Sequence, residues 1–288
     1  SLWWVRNKSK LKYVGVVIFV LFDAILMLFA AWLFVDAYLI NYEAEQQAVA
    51  QMVVSGQADL NAYTKATAAE DLDFEKTKVF STGDGAYDFY AIVINPNTDW
   101  WAEYTYQFTH TQGETQILSG FILPNEEKPL VALGIDSGVV LTSASLAIEN
   151  IVWHRVDHHV TGEYKEWLEK RLQLNVYDPV YVQTLEAEED VEFGRVTFTV
   201  KNEGTFSYYD PKFYLVLMRN NTPVGINITT LQSLESGGER DIAVNWFGVR
   251  PSATSVEIIP EINLFDLDAY KPLEGELPDD LRTRVFSE

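Results

Sequence analysis

The chain has 288 residues, 48% of them hydrophobic and 14% aromatic, with no cysteine and a formal net charge of −21. The aromatic content excludes a wholly disordered chain, and the missing cysteines exclude disulfide scaffolds, thiolate metal sites and a cysteine nucleophile. The one-sided acidity excludes a nucleic-acid binder, whose phosphate contacts need a basic surface.

The charge is uneven. Residues 1–12 carry Arg6, Lys8, Lys10 and Lys12 without a single acid, and read as a cytoplasmic basic segment. Between Val14 and Val35 lie 22 residues whose one ionisable group is Asp23. A helix of that length rises about 33 Å, enough for a hydrocarbon core of about 30 Å. Asp23 opposes insertion by about 3 kcal/mol, whereas fifteen Val, Ile, Leu and Phe residues in the window favour it. At about 0.5 kcal/mol each, those residues return about 7 kcal/mol, so insertion wins. Residues 13–40 are therefore expected to form a transmembrane signal anchor. Val35-Asp36-Ala37 passes as a cleavage site, but the apolar run is longer than a cleaved signal needs. The basic flank predicts a cytoplasmic N-terminus and outward C-terminal domains, periplasmic or extracellular. Trp3, Trp4 and Tyr13 on one side, with Tyr38 and Tyr42 on the other, suit the interfacial aromatic belts.

Asp23 has three readings. It is a tolerated, protonated residue; it meets a polar or basic residue of another membrane helix, from a second protein or a second copy; or it belongs to a proton or ion path, which a single span could form only in an oligomer. The second makes Asp23 the candidate intramembrane partner contact.

Residues 41–76 read as a helical stalk and linker, with helix formers over Asn41–Val54 and a stop at Ser55-Gly56. The Asp71, Asp73, Glu75 alternation lacks the glycine and spacing of a calcium loop and reads as a solvated face.

From about Val79 the period changes to two. Tyr87–Asn95 runs apolar into the Asn95-Pro96-Asn97 turn; Tyr104, Tyr106 and Phe108 alternate with polar neighbours. Gly113 marks a hairpin into Thr115–Leu123, Pro124-Asn125 a corner, and strands follow at Pro129–Leu133 and Ser145–Trp153. Short strands at this spacing describe an antiparallel β-sandwich over residues 77–158. Residues 159–180 form a connecting segment, whose stretch Thr161–Leu172 sets Tyr164, Trp167, Leu168 and Leu172 on one face of a short helix expected to brace the domains, the alternative being a helix that docks on a partner.

A second sandwich over 181–270 repeats the first. Val196–Asn202 echoes the strand ending at Asn95, and Lys212–Met218 echoes the Tyr104 strand. Arg219–Thr222 takes the hairpin position, with Thr229–Leu234 the strand after it. Ser236–Arg240 matches Asn125–Lys128, and Ser255–Ile262 closes the domain. Beyond Ile262 the chain reads as increasingly exposed, ending in an acidic tail over 271–288.

The Gly83-Asp84-Gly85-x-Tyr87-Asp88 turn, the Asn95-Pro96-Asn97 turn and the Ile122-Leu123-Pro124 corner resemble uncharacterised single-pass membrane proteins of ultra-small candidate-phyla bacteria. The likeness continues through Gly237-Gly238-Glu239-Arg240-Asp241, Trp246-Phe247 and Asn263-Leu264-Phe265-Asp266, covering about residues 75–270. It implies an N-terminal anchor followed by two tandem immunoglobulin-like domains of the FxLYD kind. Phe213-Tyr-Leu-Val lacks the terminal Tyr-Asp of that strand motif. The resemblance implies no catalytic residue.

Chemistry is sparse. No nucleophile elbow, P-loop, dinucleotide fingerprint or His-Glu-x-x-His occurs, and no enzyme activity or cofactor is expected. His154, Asp157 and His158 supply three ligands only if their segment turns helically; surface residues are the plainer reading, and no metal is expected. Trp100 and Trp101 are candidates for a recognition surface, one ring inward and one exposed; the alternative is that both are tucked under a loop. Tyr208 and Tyr209, further candidates, take the comparable place in the second repeat, a parallel that favours a shared packing role. Asn220 and Asn227 head sequons that matter only in a glycosylating host. The expected function is a non-enzymatic structural or accessory subunit of a cell-envelope assembly. Its partners would be the lipid bilayer and another membrane protein or itself. The alternative is a surface-displayed adhesin or glycan- or protein-binding module.

Overall fold

The computed structural model describes residues 2–36, 50–52, 60, 62–186 and 192–272. It divides into two compact units, Ser1–Ala68 and Ala69–Glu288.

In the first unit, α1 (Leu2–Val35) is a continuous helix of 34 residues. The basic segment forms its first turns instead of standing apart from it. Its stretch Arg6–Val35 is long and apolar enough to cross a membrane, and no residue of the most apolar window is covered by protein. Asp23 is exposed on that helix. Residues 50–52 and 62–66 are helical; the rest of the expected 41–54 stalk lies outside the described residues. So do Ala37 of the cleavage motif, and Tyr38 and Tyr42 of the outer aromatic belt.

The second unit is mainly β, two antiparallel sandwiches. In the first, β1 (Asp73–Phe74), β2 (Lys78–Gly83) and β7 (Glu127–Asp136) pair with β3 (Ala86–Ile94). Facing them, β5 (Gly113–Glu114), β6 (Leu118–Ile122) and β8 (Ala144–Arg155) pair with β4 (Trp100–His110). In the second sandwich, β9 (Leu174–Glu186) and β15 (Glu239–Trp246) flank β10 (Glu192–Asn202). Opposite lie β13 (Thr222–Thr230) and β16 (Ser255–Glu261), flanking β12 (Lys212–Arg219). The expected strand over Thr229–Leu234 is instead the end of β13 followed by β14 (Ser233–Leu234), which pairs with β11 (Ser207–Tyr209). The connecting segment ends earlier than expected, because β9 already begins at Leu174. Within β9, Asp178 before Pro179 adopts a positive φ of 48°, and the strand continues past it through an irregular register.

The two sandwiches stack face to face. Phe89, Ala91 and Val93 of β3 enter the first core, while Tyr90, Ile92 and Ile94 on its other face meet Tyr214, Val216 and Met218 of β12. The remaining face of β12, Phe213, Leu215 and Leu217, fills the second core. Both faces of β3 and β12 are therefore out of water, which is why their sequences run apolar without alternation. By contrast β4 and β10 alternate strictly, with Glu103, Thr105 and Gln107, and Arg195, Thr197, Thr199 and Lys201, between their buried residues.

Asn95 and Asn202 show that the repeat is structural. Each is buried at the end of its strand. Asn95 Nδ2 donates to the Trp100 and Leu123 carbonyls at 2.7 and 2.9 Å, and Asn202 Nδ2 to those of Phe206 and Leu234 at 2.7 and 3.4 Å. Each Oδ1 accepts the amide N–H two residues on, from Asn97 and Gly204 respectively.

Candidate functional site

The seam between the sandwiches concentrates the chemically conspicuous residues. Lys128 on β7 is 2% exposed, although a lone buried ammonium is strongly disfavoured. Its Nζ lies 2.9 Å from Glu261 Oε2, across the seam on β16. The contact is a buried ion pair. The same Nζ sits 3.6 Å from the centroid of Phe121. Glu261 has two further partners: Lys212 Nζ donates to Oε1 at 2.7 Å and the Tyr214 hydroxyl to Oε2 at 2.8 Å. Burial pushes the Glu261 carboxyl up, but the two ammonium groups outweigh it and hold the group down to about 2. Burial raises the Tyr214 phenol in turn, reinforced by the Glu261 charge. A neighbouring carboxyl, Glu126, is pushed up by burial against the pull of Lys128. The arrangement holds an ionised carboxylate between two cations.

At one end of the seam an aromatic stack crosses from sandwich to sandwich. His154, Trp101, Phe265 and Trp167 lie ring on ring, with centroid separations of 4.2, 5.0 and 5.1 Å. Phe265 comes from the Asn263–Asp266 segment, shaped by Asn263 Oδ1 accepting the Phe265 amide. Trp167 comes from α3 (Tyr164–Arg171) in the connecting segment. Tyr164, Trp167, Leu168 and Leu172 all pack there, around Leu123, Tyr208, Leu264 and Tyr270. The expected exposure beyond Ile262 is corrected: Leu264 and Tyr270 are buried, because the chain folds back through β17 (Tyr270–Lys271) to pair with β11. The tail beyond residue 272 lies outside the described residues.

At the opposite end of the seam, the Gly248 loop of the second sandwich docks on the β2–β3 hairpin of the first. The Val249 amide donates to the Thr82 carbonyl at 2.8 Å. Gly248 has φ +71°, and a Cβ there would lie 1.9 Å from that carbonyl oxygen, so only glycine fits.

The candidate recognition residues are scattered by this packing. Trp101 is covered by His154 and Phe265, and Trp100, half-buried, has Arg155 6.0 Å from its ring. Neither indole enters the core, where Ala102 is the first fully buried side chain of the strand. Tyr208 is corrected outright: it is 0% exposed and its hydroxyl donates to the Arg171 carbonyl at 2.6 Å. Tyr209 is exposed, with Lys271 over its ring. The weak metal candidates separate as well. His154 pairs with Glu103 and His158 with Asp99, while Asp157 accepts the His159 amide as the N-cap of α2 (His158–Thr161). Among the described residues no group of three His, Asp or Glu is placed to hold a metal. Sequence reasoning missed Lys128, Glu261 and Phe265; the one signal was a lysine beside the apolar Pro129–Leu133 run.

A cleft of about 810 Å³ opens on the seam's flank, walled by Tyr106, His110, Asp136, Lys212 and Tyr214 among others. Three of its polar groups are engaged: the Tyr106 hydroxyl donates to the Val131 carbonyl, and Lys212 and Tyr214 serve Glu261.

Fold and seam define a class: an apolar helix followed by two antiparallel sandwiches fused through a buried charged seam. No family model and no curated protein matches the chain. Solved structures similar to it include red sea bream transglutaminase, at 15% identity over 67% of this chain and 29% of that one, TM-score 0.19. Another is the N-terminal CBM22-1–CBM22-2 tandem domain of Paenibacillus barcinonensis Xyn10C, at 8% identity over 74% and 91%, TM-score 0.14. Scores this low carry no structural argument.

Proposed function

We propose that the chain is a membrane-anchored, non-enzymatic cell-envelope protein, a structural or accessory subunit that projects a rigid β-unit outward. One observation carries this reading: the aromatic and charged groups that would otherwise do chemistry or recognition are consumed in holding one sandwich on the other. Glu261, Lys128, Trp101 and Tyr208 all serve that packing. The basic flank Arg6, Lys8, Lys10 and Lys12 supports a cytoplasmic N-terminus. The turn and strand-end likeness supports immunoglobulin-like domains of the FxLYD kind. Asp23 is the contact to a second membrane helix, since an intramembrane carboxyl seeks a polar partner.

Gentle detergent extraction of the full-length protein followed by native mass analysis tests this. A discrete assembly that Asp23→Leu dissolves is the expected result. A homo-oligomer sensitive to the same substitution places the partner helix on a second copy. A lone protomer, unchanged by Asp23→Leu, overturns the reading in favour of a displayed binding module.

A further inference from the structure

The β-unit has two unlike ends. The chain enters beside Asn97, whose side chain bonds both the amide and the carbonyl of Glu70, and it leaves through Tyr270–Lys271 in the same aromatic cluster that packs Leu123. That end is closed. Strand β3 runs nine residues away from it, about 30 Å, to the turn at Asp84-Gly85. On that hairpin converge the Gly248 loop, through Val249 and Thr82, and the loop after β7, through the Ser137 amide bonded to the Gly85 carbonyl at 2.9 Å.

The converging loops carry side chains that a free surface penalises. Val140 is 76% exposed, Phe247 62%, and Val249 and Val139 nearly half. Single exposed apolar residues are ordinary, and the Phe247 ring has Phe193 at 6.0 Å; four exposed apolar side chains on two loops docked to one hairpin are nevertheless the kind of grouping that interaction surfaces present. Its rim is acidic: Asp84 and Asp136 are exposed on the hairpin and on the paired end of β7. The cation of the Gly248 loop, Arg250, is held by Glu192 at 2.7 Å.

We propose that this loop end is a docking surface for a partner protein whose contact face combines apolar side chains with lysine or arginine. Charge decides the occupant. A second copy would bring another Asp84 and Asp136 against the first pair in a chain of net charge −21, and anionic lipid would be repelled likewise. The surface stands on the geometry of the β-unit alone and does not depend on the membrane anchor.

The test uses full-length protein in detergent and two short fluorescent peptides with identical leucines, one interspersed with lysines and the other with glutamates. Binding above empty micelles is expected for the lysine peptide only, weakening with salt. The double variant Phe247→Ser, Val140→Ser should lower its affinity about tenfold, and Asp84→Asn with Asp136→Asn should flatten the salt dependence. These positions are exposed, and unchanged near-ultraviolet dichroism confirms the fold of each variant. Equal binding of both peptides, or no effect of the variants, overturns the proposal. So does self-association, or binding to phosphatidylcholine vesicles, that the Phe247→Ser, Val140→Ser variant abolishes.

Discussion

Strands β3 and β10 hold the same place in the two sandwiches, yet one is buried on both faces and the other on one. Tyr90, Ile92 and Ile94 of β3 correspond, 107 residues on, to Thr197, Thr199 and Lys201 of β10. The first set lies against the neighbouring sandwich and the second meets water. On the facing sheets, β12 presents Tyr214 and Val216 to the seam where β4 presents Glu103 and Thr105 to solvent. One type of face packs on the other, a head-to-tail contact that repeats indefinitely unless the terminal faces are made polar. Here the central strands are polar on those faces, Glu103 and Thr105 on β4 and Thr197 and Thr199 on β10, although Val152 of β8 and Tyr177, Val180 and Val182 of β9 lie exposed beside them.

The strongest way to break this contrast is a charge on each side of it. Val216→Asp places a carboxylate in the seam and is expected to cost more than about 3 kcal/mol, whereas Thr197→Asp at the solvent face should stay within about 0.5 kcal/mol. Urea denaturation of the two variants checks both. Glu261→Gln leaves Lys128 buried without its counter-charge and should cost about 3–5 kcal/mol by the same measurement. Lys212→Met should cost less, because that ammonium is partly solvated.

The Glu261 carboxylate also sets a pH dependence. Its value in the fold, about 2, lies below the ordinary 4.5, so its contribution is complete above pH 4.5 and is lost as pH falls through about 2. Asp88, which burial pushes up, has the opposite sign and favours the fold at low pH. A titration of stability should show an acid loss that Glu261→Gln flattens.

Smaller effects sharpen the comparison. Gly248→Ala should cost about 1–3 kcal/mol, since both φ and the Thr82 carbonyl oppose a Cβ. Asn95→Ala and Asn202→Ala should each cost about 1–3 kcal/mol by stranding buried carbonyls. Similar losses in the two would confirm that the repeated corner does the same job in both sandwiches; calorimetry of the pair reads this.

Period and composition were enough for the apolar helix, the change to period two at Val79, the tandem repeat and its asparagine corners, because each rests on local chain geometry. Even the double burial of β3 and β12 is written in their unbroken apolar runs. What the runs cannot say is which face meets which, since a buried residue looks the same against any partner. The pairing of Lys128 with Glu261, far apart in the chain, and the insertion of Phe265 between Trp101 and Trp167 exist only once two sheets are brought together. That packing turned Trp101 and Tyr208 from candidate recognition residues into braces, and left the exposed apolar end at Val140 and Phe247, where no periodic pattern pointed.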